Sequence, residues 1–229
     1  VKSELSTNHL EQEVPYASLP ALVDGAAARF GDQPLWVSVD DASRISFREF
    51  ARATLKCANA LHALGVAPGT HVAVMLPSVP AYVVTWMALA RLGAVMVPVN
   101  TQYKPRELEY VLQDSAAKFL VIDESCLSVF AEMTDRDALV PPSNLIVHGA
   151  TDAKHAQNWQ RLVDAAPDTA PAVPPPTVDT LMSIQFTSGS TGFPKGCMLT
   201  QDYWLVLGWV RSHQGPVPRR MLIDKPLSY

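Results

Sequence analysis

Cysteine is sparse in this chain: three residues in 229, Cys57, Cys126 and Cys197, stand far apart. No CxxC or Cys/His spacing joins them, which argues against a disulfide framework and a zinc site and fits a reducing, cytoplasmic setting. Positive charge is also scarce. Lys and Arg number 18 against 22 Asp and Glu, and the basic residues are scattered. A phosphate-backbone footprint is therefore missing, and no nucleic-acid partner is expected. The histidines, His9, His62, His71, His148, His155 and His213, form no HExxH or paired-ligand spacing, so no protein-built metal site is expected. The stretch Val1–Pro15 is polar and mixed in charge, without the apolar core of a signal peptide. Residues 1–18 are read as a loose leader.

A clean membrane span is lacking as well. Ala81–Val99 comes nearest, but Arg91 lies inside it, and Gly93 and Pro98 interrupt its far half. A central Arg is costly in lipid. A buried helix ending at Gly93, followed by a buried strand Ala94–Val97, accounts for the run instead.

What is present is an apolar, globular composition with a repeating rhythm. Nearly half the residues are hydrophobic (48%), enough for a sizeable core. Strand patterns at His71–Leu76, Ala94–Val97, Phe119–Ile122, Asn144–Val147 and Leu181–Phe186 alternate with helix patterns. The helices are Val79–Leu92 (Ser78 as N-cap), Pro105–Gln113, a short one near Glu124–Met133, and Trp159–Ala165. This alternation predicts an α/β fold, a mostly parallel sheet with helices on both faces. Ahead of it, Ser46 and Glu49 have capping-box spacing. Phe47, Phe50, Ala51, Thr54, Ala58 and Leu61 then recur at helical spacing until Gly65. Pro167–Pro176 carries five prolines and reads as an extended surface linker. Ser115–Lys118 matches SxxK, but the partner motifs of that chemistry are missing, so coincidence is the better reading. Asp40-Asp41 reads as a solvated turn.

Chemistry concentrates in one segment. Directly after the strand Leu181–Phe186 comes Thr187-Ser188-Gly189-Ser190-Thr191-Gly192-Phe193-Pro194-Lys195-Gly196. Glycines let backbone amides turn toward an anion without a Cβ in the way. Hydroxyls add donors, and Lys195 supplies a full positive charge. A strand leading into such a loop suits a polyphosphate. The spacing is not that of a Walker A loop, because Lys195 follows Pro194 and not glycine, and no serine sits in a GxSxG frame.

The run Thr187–Gly196 closely resembles the phosphate-loop signature of the adenylate-forming superfamily: acyl-CoA synthetases, peptide-synthetase adenylation domains and luciferases. The likeness extends to Leu92–Asn100, Glu107-Leu108 and Val111–Ser115, and Pro226–Tyr229 resembles the start of the family's next motif, which lines the acyl pocket. It covers the chain from about Leu19 to its end, so residues 19–229 are expected to be the N-terminal portion of an AMP-binding domain, with the C-terminal domain absent. The resemblance implies an ATP-dependent acid–CoA ligase acting on a small carboxylic acid, with Mg2+ and with CoA as co-substrate. Thr187, Ser188, Gly189, Ser190, Thr191, Gly192 and Lys195 would bind the ATP phosphates, Lys195 would be catalytic, and Tyr229 would bind substrate. The family's adenine, ribose and C-terminal lysine elements lie beyond Tyr229, so the 229 residues alone are expected to be inactive. Two departures stand out: Gln201 and Tyr229 occupy places where many members carry histidine, and both changes are expected to touch substrate preference. An adenylation domain that loads a carrier protein, and a non-catalytic binding or structural fragment, remain as alternatives.

Overall fold

A computed structural model of the chain describes residues 14–39, 42–150, 156–187 and 194–213. Helix α1 (Leu19–Phe30) opens it, capped by the Ser18 hydroxyl, which accepts from the Ala21 amide. A small antiparallel pair follows, β1 (Pro34–Val37) and β2 (Arg44–Ser46). Ser46 then caps α2 (Phe47–Ala63) in the expected capping box, with Glu49 reaching back to the Ser46 amide at 2.8 Å.

The main sheet begins at β3 (His71–Met75), continues through α3 (Pro80–Leu92) to β4 (Val95–Pro98), and through α4 (Pro105–Asp114) to β5 (Phe119–Asp123). Helices α5 (Leu127–Ala131) and α6 (Arg136–Leu139) lead to β6 (Leu145–His148) and β7 (Gln157–Asn158). Helix α7 (Trp159–Ala165) and the proline-rich stretch lead to β8 (Leu181–Thr187), β9 (Lys195–Thr200) and α8 (Gln201–His213). Among the described residues the sheet has seven strands in the order β7-β6-β5-β3-β4-β8-β9. All pairings are parallel except β8 with β9. The α/β class with helices on both faces stands as expected from the sequence.

Strand alternation builds the two faces. Val72, Val74, Met96, Val121 and Ile146 pack under α2, α3 and α7, whereas Ala73, Met75, Val97, Leu120 and Ile122 pack under α4 and α5. A third cluster joins α1, α3 and α8 through Leu19, Ala90, Met182 and Leu205, with Val14 and Tyr16 packed against it.

The Ala81–Val99 run is interior, and no helix among the described residues is long and apolar enough to cross a membrane. Arg91 is buried (6% exposed) but compensated. Its Nε donates to the Thr54 hydroxyl at 2.8 Å, and its two Nη groups grip the Asp24 carboxylate. A buried guanidinium persists only with such partners.

Several boundaries move for local reasons. Val79, not Ser78, is the N-cap of α3, because Pro80 at N1 fixes where the helix begins. Ala94 does not start the strand: its amide returns to the Leu89 carbonyl at 3.0 Å and closes the helix over Gly93, which is left-handed at φ 65°. The short helix expected near Glu124–Met133 divides into a 3-10 turn, Glu124–Cys126, and α5. The linker over Pro167–Pro176 runs along α2 and is tied to it. Asn59 Nδ2 donates to the Pro167 and Thr169 carbonyls, and Arg52 pairs with Asp168 at 2.9 Å. Asp40-Asp41 lie outside the described residues.

Candidate phosphate-binding site

Strands β3, β4, β5, β6 and β8 run in parallel, so their carboxyl ends share one edge of the sheet. The chain goes from β3 to β4 on one side and then crosses to β5 on the other, and β8 returns to pair with β4. Open α/β sheets take ligands at the carboxyl edge near such reversals. Strand β8 delivers Thr187 to that edge.

There the chain turns back. In the antiparallel β8–β9 pair, Thr187 lies directly opposite Lys195, Phe186 opposite Gly196, and Gln185 opposite Cys197. The Thr187 hydroxyl and the Lys195 ammonium therefore stand at the base of one hairpin, and both residues are exposed. Of the expected phosphate-binding residues, these two are brought together across one register position. Ser188, Gly189, Ser190, Thr191 and Gly192 lie outside the described residues, as does Tyr229.

The hairpin base is tightly built. A Cβ added at Gly196 would stand 2.6 Å from Ile184 Cγ2 and 3.4 Å from the Phe186 ring. Gly196 is thus a packing requirement between β9 and β8. Tyr110 of α4 donates from Oη to the Pro194 carbonyl at 2.9 Å, and its ring meets Phe186 edge-on at 6.4 Å. Sequence reasoning missed Tyr110. Its partners are 76 and 84 positions away in the chain, and only the fold brings α4 under the hairpin.

Gln201 is fully buried and bridges three helices. Its Oε1 accepts from the Leu19 amide at 2.9 Å, and its Nε2 donates to the Ala90 carbonyl at 3.1 Å. The side chain is thereby committed to joining the starts of α1 and α8 to the end of α3.

Further along the same edge, Asp123 and His148 are register partners on β5 and β6, with His148 Nδ1 2.9 Å from Asp123 Oδ2. Burial alone would raise the Asp123 pKa. Hydrogen bonds from Ser125 and His148 outweigh it and hold the carboxyl below its ordinary value. Among the described residues no group of three or more His, Cys, Asp or Glu is placed to hold a metal ion.

The mostly parallel α/β sheet, with the Thr187–Lys195 hairpin base at its carboxyl edge, is the architecture of a known family of enzymes. The chain belongs to the AMP-binding enzyme family, whose model matches residues 23–222. It is 31% identical over 173 residues to a crotonobetaine/carnitine–CoA ligase of Shigella flexneri, a match covering 75% of this chain and 34% of that protein. A crotonobetaine/carnitine–CoA ligase of Citrobacter koseri is also 31% identical, over 73% of this chain and 34% of its own length. Among solved structures, a long-chain-fatty-acid–CoA ligase from Archaeoglobus fulgidus superposes with a TM-score of 0.70 at 30% identity, covering 82% of this chain and 37% of that one. An anthranilate–CoA ligase in complex with anthranoyl-AMP shares the fold, with a TM-score of 0.74 at 22% identity over 81% of this chain and 35% of that one. The chain spans about a third of the length of the curated relatives it matches.

Proposed function

We propose that residues 19–229 form the N-terminal, phosphate-binding portion of the AMP-binding domain of a cytoplasmic acid–CoA ligase that uses ATP, CoA and a small carboxylic acid. The observation that carries this reading is the hairpin base, where Thr187 and Lys195 face each other at the carboxyl edge of the sheet inside the signature run Thr187–Gly196. CoA as acceptor is favoured over a carrier protein because the relatives and solved structures described above are CoA ligases.

In this reading a carboxylate oxygen attacks the α-phosphorus of ATP. The bond from that phosphorus to the bridging oxygen breaks, pyrophosphate leaves, and an acyl-adenylate forms. The CoA sulfur then attacks the acyl carbon, loses its proton to solvent and expels AMP. Such chemistry depends on positioning and on neutralising developing charge. Thr187, with Ser188, Ser190 and Thr191, donates to the β- and γ-phosphates, while Gly189 and Gly192 permit close approach. Lys195 offsets the charge that builds on departing pyrophosphate. A magnesium ion, when bound, would supply further charge neutralisation, and the hydroxyls of Thr187, Ser188, Ser190 and Thr191 are the loop groups that would lie near it. Tyr229 is assigned to the acyl pocket.

The test is CoA-dependent AMP release with a panel of acids of graded length, using protein expressed from its complete reading frame. A thioester product is expected with at least one acid. Tyr229→Ala should change the ranking of acids while leaving the ATP requirement nearly constant. The isolated 229-residue chain should give no AMP release. Adenylate formation without any thioester, but with acyl transfer to a carrier domain, would replace the CoA ligase by the carrier-loading reading.

A further inference from the structure

The phosphate-loop reading leaves one question of mechanics: what holds Lys195 in place. Among the described residues β9 is the outermost strand of the sheet and pairs only with β8. An edge strand with one partner is prone to fraying and slippage, and a slip of one residue would turn Lys195 to the opposite face. Among the described residues Thr187–Lys195 is the outermost register pair of that hairpin. Pro194, the next residue outward, has no N–H and cannot donate to β8.

The structure supplies a different anchor from another element. Tyr110 Oη donates to the Pro194 carbonyl at 2.9 Å. That carbonyl belongs to the peptide group whose nitrogen is Lys195, so the bond fixes the plane from which the Lys195 side chain departs. The same Tyr110 ring packs edge-on against Phe186, the residue before Thr187. One side chain on α4 therefore touches the residue in front of each member of the Thr187–Lys195 pair. Gly196 completes the grip by allowing β9 to lie against Ile184 and Phe186.

We propose that Tyr110 is a positioning residue for adenylation, setting the register and direction of Lys195 through the Pro194 carbonyl. The inference rests on the phosphate-loop reading and adds to it a specific mechanical dependence of Lys195 on α4.

The experiment is a double-mutant cycle on acid-dependent pyrophosphate exchange, in protein from the complete reading frame. Tyr110→Phe removes the hydroxyl and keeps the ring against Phe186, so its melting temperature should stay within about 3 °C of wild type. Its exchange turnover should fall about tenfold, with the ATP KM changing by less than about twofold, as for a lost hydrogen bond that orients a transition-state contact. In a Lys195→Ala background the same change should cost less than about twofold, because the side chain it positions is gone. A merely structural tyrosine would cost the same factor in both backgrounds, and that result, or full activity in Tyr110→Phe, overturns the proposal. The phosphate-loop reading fails separately: Lys195→Ala would then exchange at the wild-type rate, and the proposal would fall with it.

Discussion

The strands β3, β4 and β5 and the hairpin β8–β9 belong to one sheet, yet they are built by opposite rules. Val72, Val74, Met96, Leu120 and Ile122 are fully buried, and each side chain is committed to a helix on one face or the other. At the hairpin the chain exposes Thr187, Lys195 and Cys197, and Met198 is 66% exposed. The buried Arg91 of α3 is compensated by Thr54 and Asp24, whereas the buried Trp86 Nε1 has no hydrogen-bond partner among the described residues. At the hairpin the polar groups point outward from a stem held by Gly196 and Tyr110. The contrast teaches that the centre stores stability while the carboxyl edge leaves free the side chains proposed to meet phosphate, with a few anchors joining the two.

Substitutions on the two sides should separate cleanly. The largest effect belongs to the edge. Lys195→Ala should reduce acid-dependent pyrophosphate exchange by about a hundredfold or more, with a smaller rise in the ATP requirement, as expected for a contact strongest in the transition state. Its melting temperature should stay at the wild-type value because the side chain is exposed. A raised ATP KM at unchanged turnover would turn Lys195 into a simple ground-state ligand.

The centre should behave in reverse. Asp24→Ala strips the buried Arg91 of its carboxylate, while Asp24 itself is 55% exposed at its side chain. The loss should be about 2–3 kcal/mol in urea denaturation, larger than for Arg91→Met, which leaves an accessible carboxylate behind. Gln201→Leu should cost about 2 kcal/mol, because it orphans the Leu19 amide and leaves the Ala90 carbonyl with the Gly93 amide alone. If Gln201→Leu changed acid ranking at unchanged stability, its assignment to the scaffold would be wrong, and the expectation drawn from sequence would return.

Gly196→Ala tests the boundary between the two regions. The added methyl meets Ile184 at 2.6 Å, so stability should fall by about 1–2 kcal/mol and exchange should fall with it. The smallest effect concerns pH. Asp123 has a folded-state pKa below its ordinary value, so its contribution is present above the unfolded pKa and is lost as pH falls through the folded one. Asp123→Asn should therefore lessen the drop in urea midpoint between pH 5 and pH 3. An unchanged drop would mean that other carboxylates carry the acid sensitivity.

The sequence was most legible where patterns are local. The α2 capping box needs only Ser46 and Glu49, and the signature run needs only ten adjacent residues; both are readable without the fold. The expected α7 boundaries, Trp159–Ala165, match because Asn158 caps that helix within three residues. Legibility failed where long-range partners decide. Nothing near Tyr110 announces Pro194, and nothing near Gln201 announces Leu19 or Ala90. The β1–β2 pair is hard to read from sequence because its strands are short and its residues largely exposed, which leaves little alternation to detect. The antiparallel return of β9 breaks the parallel rhythm that made the rest of the sheet predictable.

The central claim is that the Thr187–Lys195 hairpin base serves adenylate formation, and isotope exchange between pyrophosphate and ATP tests it most directly. Protein from the complete reading frame, given ATP, magnesium and a panel of carboxylic acids without CoA, should exchange label only when an acceptable acid is present, and Lys195→Ala should abolish most of that exchange. Exchange that persists in Lys195→Ala at the wild-type rate, or no exchange with any acid in a correctly folded protein, would contradict the account.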